Sequence, residues 1–184
     1  MRHIETVFSG FGGQGVLFAG QLLAYAGLAE ELYVTWIPSY GPEMRGGTAN
    51  CTVILSEEKI GAPVVRNPSA AVVMNSPSME KYELLVRKGG LLVVNSSLVS
   101  RKSNRDEVQV LTIPASDIAT ELGNVRIANM VLLGAFVEAT GIVALDTVKQ
   151  QLNEHLSERQ RKWLEPNYTA LQRGSELALE PSTV

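Results

Sequence analysis

A glycine-rich segment between a predicted strand and a predicted helix constrains the fold of this chain most. Ile4–Ser9 has the apolar character of a buried strand, Gly10–Gly15 (GFGGQG) follows it, and small and apolar residues recur at helical spacing over Gly13–Ala29. Glycine adopts positive φ without steric cost and lets the backbone approach a ligand closely. The helix N-terminus that follows offers unpaired amides and a partial positive charge to an anion. The candidate ligand-binding residues of this loop are Gly10, Gly12, Gly13, Gln14 and Gly15.

The rest of the chain alternates strand and helix patterns as far as Ile113 and is helical beyond it. This order predicts an α/β fold with three layers, α/β/α, around a mostly parallel sheet, followed by C-terminal helices. Residues 59–69 form a short proline-containing connection, so we expect a hairpin or an irregular crossing there, which would make the sheet mixed. With 184 residues, the chain is expected to form a single domain over 1–184, with its sheet core at about 4–113 and its helical part at about 114–178.

The remaining elements are predicted from hydrophobic period and from the positions of glycine and proline. Strands are expected at Tyr33–Ile37, Thr48–Leu55, Ala70–Met74, Leu91–Asn95 and Val108–Ile113. Helices are expected at 78–87, 114–122, Ala128–Thr140, Asp146–Leu156 and Pro166–Leu177. The last two helices are the more charged ones, so we expect them at the periphery.

The glycine loop lacks the residues that accompany it in dinucleotide and ATP sites. An NAD site needs an acidic side chain at the end of the second strand, and the residues there are Trp36–Tyr40. A P-loop needs a lysine after its last glycine, and Val16 follows Gly15. The loop therefore indicates a phosphate site of another kind. Taken alone, it indicates equally well tight helix–strand packing or contact with a neighbouring protein.

A second loop rich in glycine and proline, Pro38–Gly47 (PSYGPEMRGG), follows the second strand. Loops at the carboxyl ends of parallel strands line the ligand crevice, so this loop should lie beside the glycine loop. The Arg45 guanidinium could pair with a phosphate or carboxylate, and the Tyr40 ring could stack on a ligand or donate a hydrogen bond. An interface loop in which Arg45 pairs with Glu43 is a comparable alternative. The candidate residues of this loop are Tyr40, Arg45, Gly46 and Gly47.

Small polar residues follow several later strands. Asn75 and Asn95 stand at two strand ends, where we expect them to act as turn and N-cap residues. Asn124, Arg126 and Asn129 stand where the next helix begins. We expect a capping and solvated turn there, with Arg126 and Asn129 as outward contacts in the alternative interpretation.

Charge, cysteine and histidine contents argue against several classes of protein. The chain has 16 basic and 19 acidic residues, whereas a nucleic-acid binder normally carries a basic excess. Its one cysteine, Cys51, cannot form an internal disulfide or ligate an iron–sulfur cluster alone, and we expect it in the core. The two histidines, His3 and His155, are too few for a zinc site built on several histidines. The N-terminus lacks the pattern of a signal peptide and no apolar run could span a bilayer, so we expect a cytoplasmic chain without a membrane partner.

Five segments of the chain form a set in a fixed order. They are GFGGQG at 10–15, PSYGPEMRGGTANC at 38–51, MNSPS at 74–78, GGLLVVNSSL at 89–98 and ELGNVRIANMVLLGA at 121–135. Together they closely resemble the gamma subunit of 2-oxoacid:ferredoxin oxidoreductases, over Ile4 to Gly174. The form SYGPEMRGG in the second loop is similar to that of the 2-oxoglutarate type, or of the type that acts on branched-chain 2-oxoacids. Asn67–Ser69 departs from the Pro-Asp pair that related chains often have.

This resemblance implies one subunit of a complex that decarboxylates a 2-oxoacid, joins the acyl group to coenzyme A and passes electrons to ferredoxin. It implies alpha, beta and ferredoxin-like delta subunits as partners, and these would hold thiamine diphosphate, Mg²⁺ and the iron–sulfur clusters. The gamma chain would bind no cofactor alone but would help to form the coenzyme A site. The glycine loop and Tyr40–Gly47 would make one wall of that crevice. No residue of this chain is expected to be catalytic, so the isolated chain is expected to be inactive.

Two alternatives remain at this point. The chain could be a scaffold subunit of the same complex that touches no ligand, because phosphate-binding and interface loops rich in glycine look alike in sequence. It could also be a free-standing nucleotide-dependent oxidoreductase, against which the missing acid after the second strand speaks.

Overall fold

A computed structural model describes residues 1–39 and 47–180, and these residues form one six-stranded sheet with helices on both faces. The strands are β1 (His3–Phe11), β2 (Tyr33–Ser39), β3 (Thr48–Ser56), β4 (Ala70–Val73), β5 (Leu91–Asn95) and β6 (Gln109–Ile113). The helices are α1 (Val16–Ala29), α2 (Ser76–Glu83), α3 (Ala115–Glu121), α4 (Ala128–Thr140), α5 (Leu145–His155) and α6 (Leu164–Leu179). Two short 3-10 helices, Val125–Ile127 and Glu158–Trp163, were not predicted from the sequence. The predicted three-layer α/β/α fold is confirmed.

The sheet is mixed because one strand runs against the others. Its order is β2-β3-β1-β4-β5-β6. The pairs β1–β4, β4–β5 and β5–β6 are parallel, whereas β3 is antiparallel to both of its neighbours. Residues 57–69 then form the expected irregular crossing, without helix or strand, from β3 to β4 on the other side of β1. The sheet is therefore mostly parallel, and β3 separates β2 from β1.

Each face of the sheet has its own apolar core. The larger core includes Phe8, Leu23, Val53, Met130 and Phe136, so it joins α1 and α4 to one face. The smaller core packs α2 against the other face, with buried side chains such as Val7, Ala71, Met79, Tyr82 and Val94. Because apolar side chains and helices cover both faces of the sheet, the central strands β4 and β5 are buried along their whole length.

Two glycines bring α4 and α6 into close contact. A Cβ at Gly134 would overlap the Leu171 carbonyl, and a Cβ at Gly174 would overlap the Val131 carbonyl. The predicted helix Pro166–Leu177 is therefore not peripheral, and the expectation based on its charge was wrong. The charged residues of this helix lie on its outer face, whereas its inner face carries the buried residues Ala170, Leu171 and Gly174.

Backbone conformation explains why α1 begins later than predicted. Gly13 and Gly15 have φ values of 94° and 74°, which do not belong to a right-handed helix. The helix can therefore start only at Val16. None of the helices within 1–39 and 47–180 has both the length and the apolar character needed to cross a bilayer.

Candidate functional site

The glycine loop lies where β1 ends and turns the chain directly into α1. The side chain of Gln14 closes this turn, because its Oε1 accepts a hydrogen bond from the Phe11 amide at 2.6 Å. The Gln14 amide donates in return to the Phe11 carbonyl at 3.2 Å. The same Oε1 also accepts from Nδ2 of Asn75, at 3.4 Å. The Gln14 side-chain oxygen therefore holds the loop in shape and is occupied within the protein.

The loop is tightly packed at its two ends and open in its middle. A Cβ at Gly10 would lie 2.6 Å from Oε1 of Gln14 and 3.0 Å from Cβ of Met74. At Gly15, where φ is 74°, the amide of Asn129 occupies the space that a Cβ would need. At Gly13, by contrast, a Cβ would meet nothing within 4 Å. Packing therefore requires glycine at the ends, whereas Gly13 faces open space.

The first turn of α1 presents free backbone amides next to the loop. The amides of Val16, Leu17 and Phe18 precede the first hydrogen bond of the helix, in which the Ala19 amide donates to the Gly15 carbonyl at 3.0 Å. Gly15 has no side chain that could accept from these amides, and the first turn contains no acidic residue. Neither the N-cap residue nor the first turn therefore compensates the partial positive charge at this end of α1.

A groove of about 290 Å³ opens beside these amides. It lies between the start of α1, the start of α4 and the segment before α6. Its walls include Gly13, Gly15, Phe18, Arg126, Gln160 and Trp163. The groove therefore combines an aromatic surface, backbone amides and a cationic side chain, the combination that suits a ligand with an anionic and a planar part.

Arg126 is the charged side chain that lines this groove. It is exposed, and within the described part of the chain it makes no ion pair. The groove lining contains no carboxylate among the residues that the structure describes. A guanidinium without a carboxylate partner is suited to bind phosphate or carboxylate in two parallel hydrogen bonds.

Only the flanks of the second loop are described. Tyr40, Arg45 and Gly46 lie outside the described residues, so their proposed contacts stay predictions. Gly47 accepts a hydrogen bond from the Gly12 amide at 3.2 Å. Thr48 pairs with Phe11 in the sheet. The described end of the second loop therefore lies beside the glycine loop, as the sequence predicted.

Asn75 and Asn124 cap helices, as predicted. Oδ1 of Asn75 accepts from the Ser78 amide at 2.9 Å at the start of α2. Oδ1 of Asn124 accepts from the Arg126 amide at 3.1 Å. Asn129 differs from the expectation of a solvated turn or an outward contact, because it is buried and donates from Nδ2 to the Gly15 carbonyl at 3.0 Å. Its role could not be predicted, because its partner lies 114 positions away in the chain.

Gln160 and Trp163 also line the groove, and they were not predicted from the sequence. They come from a 3-10 helix that was not predicted, and in sequence this segment has only the polar character of a connection between helices. A tryptophan, the half-buried Trp163, within such a polar segment was the single usable indication.

The structure provides no metal centre within residues 1–39 and 47–180, where no three His, Cys, Asp or Glu side chains lie close together. Cys51 is fully buried, as expected, and burial raises the pKa of its thiol to about 12. A thiol in this state is not a metal ligand or a nucleophile at neutral pH. The described part of the groove contributes backbone amides, the Arg126 guanidinium and the Trp163 ring.

Comparison with known proteins gives a consistent result. The family model described as pyruvate ferredoxin/flavodoxin oxidoreductase matches residues 5–177. The chain is 36% identical to 2-oxoglutarate synthase subunit KorC of Methanothermobacter thermautotrophicus, over 97% of this chain and 96% of that protein. It is also 36% identical to ketoisovalerate oxidoreductase subunit VorA of the same organism.

These relatives differ in length. The match to VorA covers 96% of this chain but only 37% of VorA, so the chain spans about a third of that relative. Among solved structures, the gamma subunit of a keto/oxoacid ferredoxin oxidoreductase from Geobacter sulfurreducens PCA superposes with a TM-score of 0.82 at 30% identity. That match covers 96% of this chain and 98% of the Geobacter subunit.

Proposed function

The chain belongs to the pyruvate ferredoxin/flavodoxin oxidoreductase family, and we propose that it acts as the gamma subunit of a 2-oxoacid:ferredoxin oxidoreductase. This complex would oxidatively decarboxylate a 2-oxoacid to its acyl-CoA and pass the electrons to ferredoxin. The observation that carries the proposal is the groove at the glycine loop, where the described residues leave the first amides of α1 and the Arg126 guanidinium without a partner. The agreement in length and fold with separate gamma subunits supports it.

The favoured substrate is 2-oxoglutarate. The separate subunits named KorC of 2-oxoglutarate synthase are 34–36% identical to this chain, whereas the separate gamma subunits common to pyruvate and ketoisovalerate oxidoreductases are 29% identical. The two VorA relatives are 36–39% identical, but the match covers only about a third of their length. We expect the pocket for the 2-oxoacid to lie mainly on other subunits, so 2-ketoisovalerate is the substrate to test second.

The residues of the groove fit the phosphate-bearing part of coenzyme A. The amides at the start of α1 would hold a phosphate group, the Arg126 guanidinium would hold a second anionic oxygen, and Trp163 would offer its ring to a planar group. The volume of about 290 Å³ is suitable for a part of this coenzyme, at the lower end of ligand pockets, which have roughly 300–1,000 Å³. Gly10, Gly12, Gly13, Gly15 and Gly47 would shape the wall of the crevice, and Tyr40, Arg45 and Gly46 would extend it.

The partners of the chain would be alpha and beta subunits and a ferredoxin-like delta subunit. Thiamine diphosphate with Mg²⁺ would supply the decarboxylation chemistry, and iron–sulfur clusters would carry the electrons, both held by these partners. In the described residues, this chain contributes neither a metal-ligand cluster nor a reactive thiol. We therefore expect the isolated chain to be inactive, and we expect the complex to work in the cytoplasm.

The test is purification of the tagged chain from its native host under mild conditions. Mass spectrometry should identify alpha, beta and delta subunits, and the eluate should show broad iron–sulfur absorbance. The eluate should then reduce ferredoxin only when both 2-oxoglutarate and coenzyme A are present. A colourless chain without partners, from cells in which the neighbouring subunits are expressed, would contradict the proposal.

The alternative of a scaffold subunit predicts a different result in the same assay. Substitutions at Arg126 or in the glycine loop would then alter the yield of complex and leave the KM for coenzyme A unchanged. The alternative of a free-standing nucleotide-dependent enzyme is disfavoured by the sheet order. In dinucleotide-binding folds the second strand lies next to the first, whereas β3 lies between them here.

A further inference from the structure

We infer that Asn129 is a positioning residue that orients the amides of the glycine loop toward the bound anion. The inference rests on the proposed coenzyme A site and adds to it a residue that belongs neither to the loop nor to α1. Asn129 lies in the first turn of α4 and is 5% exposed, and its Nδ2 donates to the Gly15 carbonyl at 3.0 Å. This hydrogen bond joins the start of α4 to the start of α1.

The Gly15 carbonyl belongs to the same peptide unit as the Val16 amide. A peptide unit is planar and trans, so its N–H points away from its C=O. A donor that fixes the direction of the Gly15 carbonyl therefore fixes the direction of the Val16 amide as well. The Val16 amide is one of the free donors in the first turn of α1. Asn129 thus acts on a ligand-binding group through the rigid peptide between them.

The same carbonyl also accepts the Ala19 amide at 3.0 Å, so its two lone pairs are both used. Without Asn129, the peptide would be held by the Ala19 amide alone. At the other end of the loop, Oε1 of Gln14 accepts from the Phe11 amide and from Nδ2 of Asn75, so Gln14 restrains Phe11, which precedes the open residue Gly13. Gly15 has φ of 74°, and no side chain of its own restricts it. Among the described side chains, Asn129 is therefore the one that hydrogen-bonds to the glycine at which the loop joins the helix.

The close contact between Gly15 and Asn129 limits which side chains either position can carry. The Asn129 amide occupies the position that a Cβ at residue 15 would need. An aspartate of the same shape at position 129 would place an oxygen against the Gly15 carbonyl and could not donate to it when ionised. An alanine would remove the donor without adding charge. These two substitutions therefore separate the loss of the hydrogen bond from the effect of a new negative charge.

The experiment measures steady-state kinetics of the purified complex that carries Asn129→Ala or Asn129→Asp in this chain. The KM for coenzyme A should rise about tenfold in both variants, because a misaligned donor loses much of a charge-assisted hydrogen bond. The kcat at saturating coenzyme A and the KM for the 2-oxoacid should stay within twofold. Asn67→Ala is the matched control, because Nδ2 of Asn67 donates to a carbonyl, that of Leu85, at 3.1 Å, far from the loop.

A second measurement does not depend on turnover. Hydrogen–deuterium exchange of the complex without coenzyme A should become faster at residues 11–18 in both Asn129 variants and stay unchanged in Asn67→Ala. Coenzyme A should restore slow exchange in the wild type at a lower concentration than in the variants.

The outcomes separate the inference from the proposed function. A wild-type complex that neither needs nor binds coenzyme A would overturn the proposed function. A wild-type complex that uses coenzyme A, with Asn129 variants of unchanged KM and unchanged exchange, would overturn the inference alone. The inference is also overturned if neither Asn129 variant assembles while Asn67→Ala does, since the amide would then serve packing.

Discussion

The Arg101 guanidinium lies 2.6 Å from the carboxylate of Glu83 and holds the segment before β6 against the end of α2. The Glu83 side chain is only 7% exposed, and its second oxygen accepts from the Asn104 amide at 3.0 Å. Burial by itself would raise the pKa of Glu83. The hydrogen bonds from Arg101, Ser103 and Asn104 outweigh this effect and hold the pKa below its usual value. The ionised form of Glu83 therefore stabilises the folded chain.

This arrangement predicts a pH-dependent stability. Because the pKa of Glu83 is lower in the folded than in the unfolded chain, its contribution to stability is complete above the unfolded pKa and is lost as the pH falls through the folded pKa. Glu83→Gln should lower the free energy of unfolding by about 1–3 kcal/mol near neutral pH. The difference from the wild type should shrink in acid. Urea unfolding at a series of pH values measures it, with the exposed Glu80→Gln as control. A difference that is constant with pH would contradict this prediction.

The contact between α4 and α6 predicts a large effect of one methyl group. Gly134→Ala and Gly174→Ala would each place a Cβ against a backbone carbonyl, which cannot move without displacing a helix. We expect each to destabilise the chain by about 3 kcal/mol. Thermal melting measures this loss. Gly61→Ala is the control, since nothing lies within 4 Å of a Cβ there, and its melting temperature should equal that of the wild type. Unchanged melting of both helix variants would show that the helices separate readily.

Arg126 predicts a specific loss of coenzyme A binding in the complex. Arg126→Ala should raise the KM for coenzyme A about tenfold or more, because it removes from the groove the cation that would hydrogen-bond to the coenzyme. Arg126→Lys should recover only part of the loss, because lysine cannot donate two parallel hydrogen bonds. Arg66→Ala, which removes an exposed arginine from another surface, is the control. If all three variants have the wild-type KM, the groove does not hold the coenzyme.

The buried cysteine predicts resistance to thiol reagents. Cys51 is fully buried, and burial raises the pKa of its thiol to about 12. Because the thiolate is the reactive form, the folded chain should not be modified by a maleimide at neutral pH. Mass spectrometry should find one adduct only after unfolding in denaturant. Rapid modification of the native chain would show that β3 opens in solution.

The sequence was sufficient for the elements and for the position of the glycine loop, because these follow from local patterns. Hydrophobic period marks β1 and α1, and glycine spacing marks Gly10–Gly15. The sequence was not sufficient for contacts between distant segments. The hydrogen bond from Asn129 to Gly15 and the place of β3 between β1 and β2 depend on tertiary structure. For the same reason the sequence did not place Trp163 in the groove, although it did identify the glycine loop, which also lines the groove.

The contact of Gly134 with α6 has a consequence for how the chain folds as it is synthesised. All six strands precede residue 114, so the sheet can form while the last third of the chain is still being made. The face of α4 that carries Gly134 and Val131 has no cover until α6 has left the ribosome. A nascent chain that is released or stalled before Gly174 therefore exposes an apolar helix face, which is what chaperones bind and what drives early aggregation.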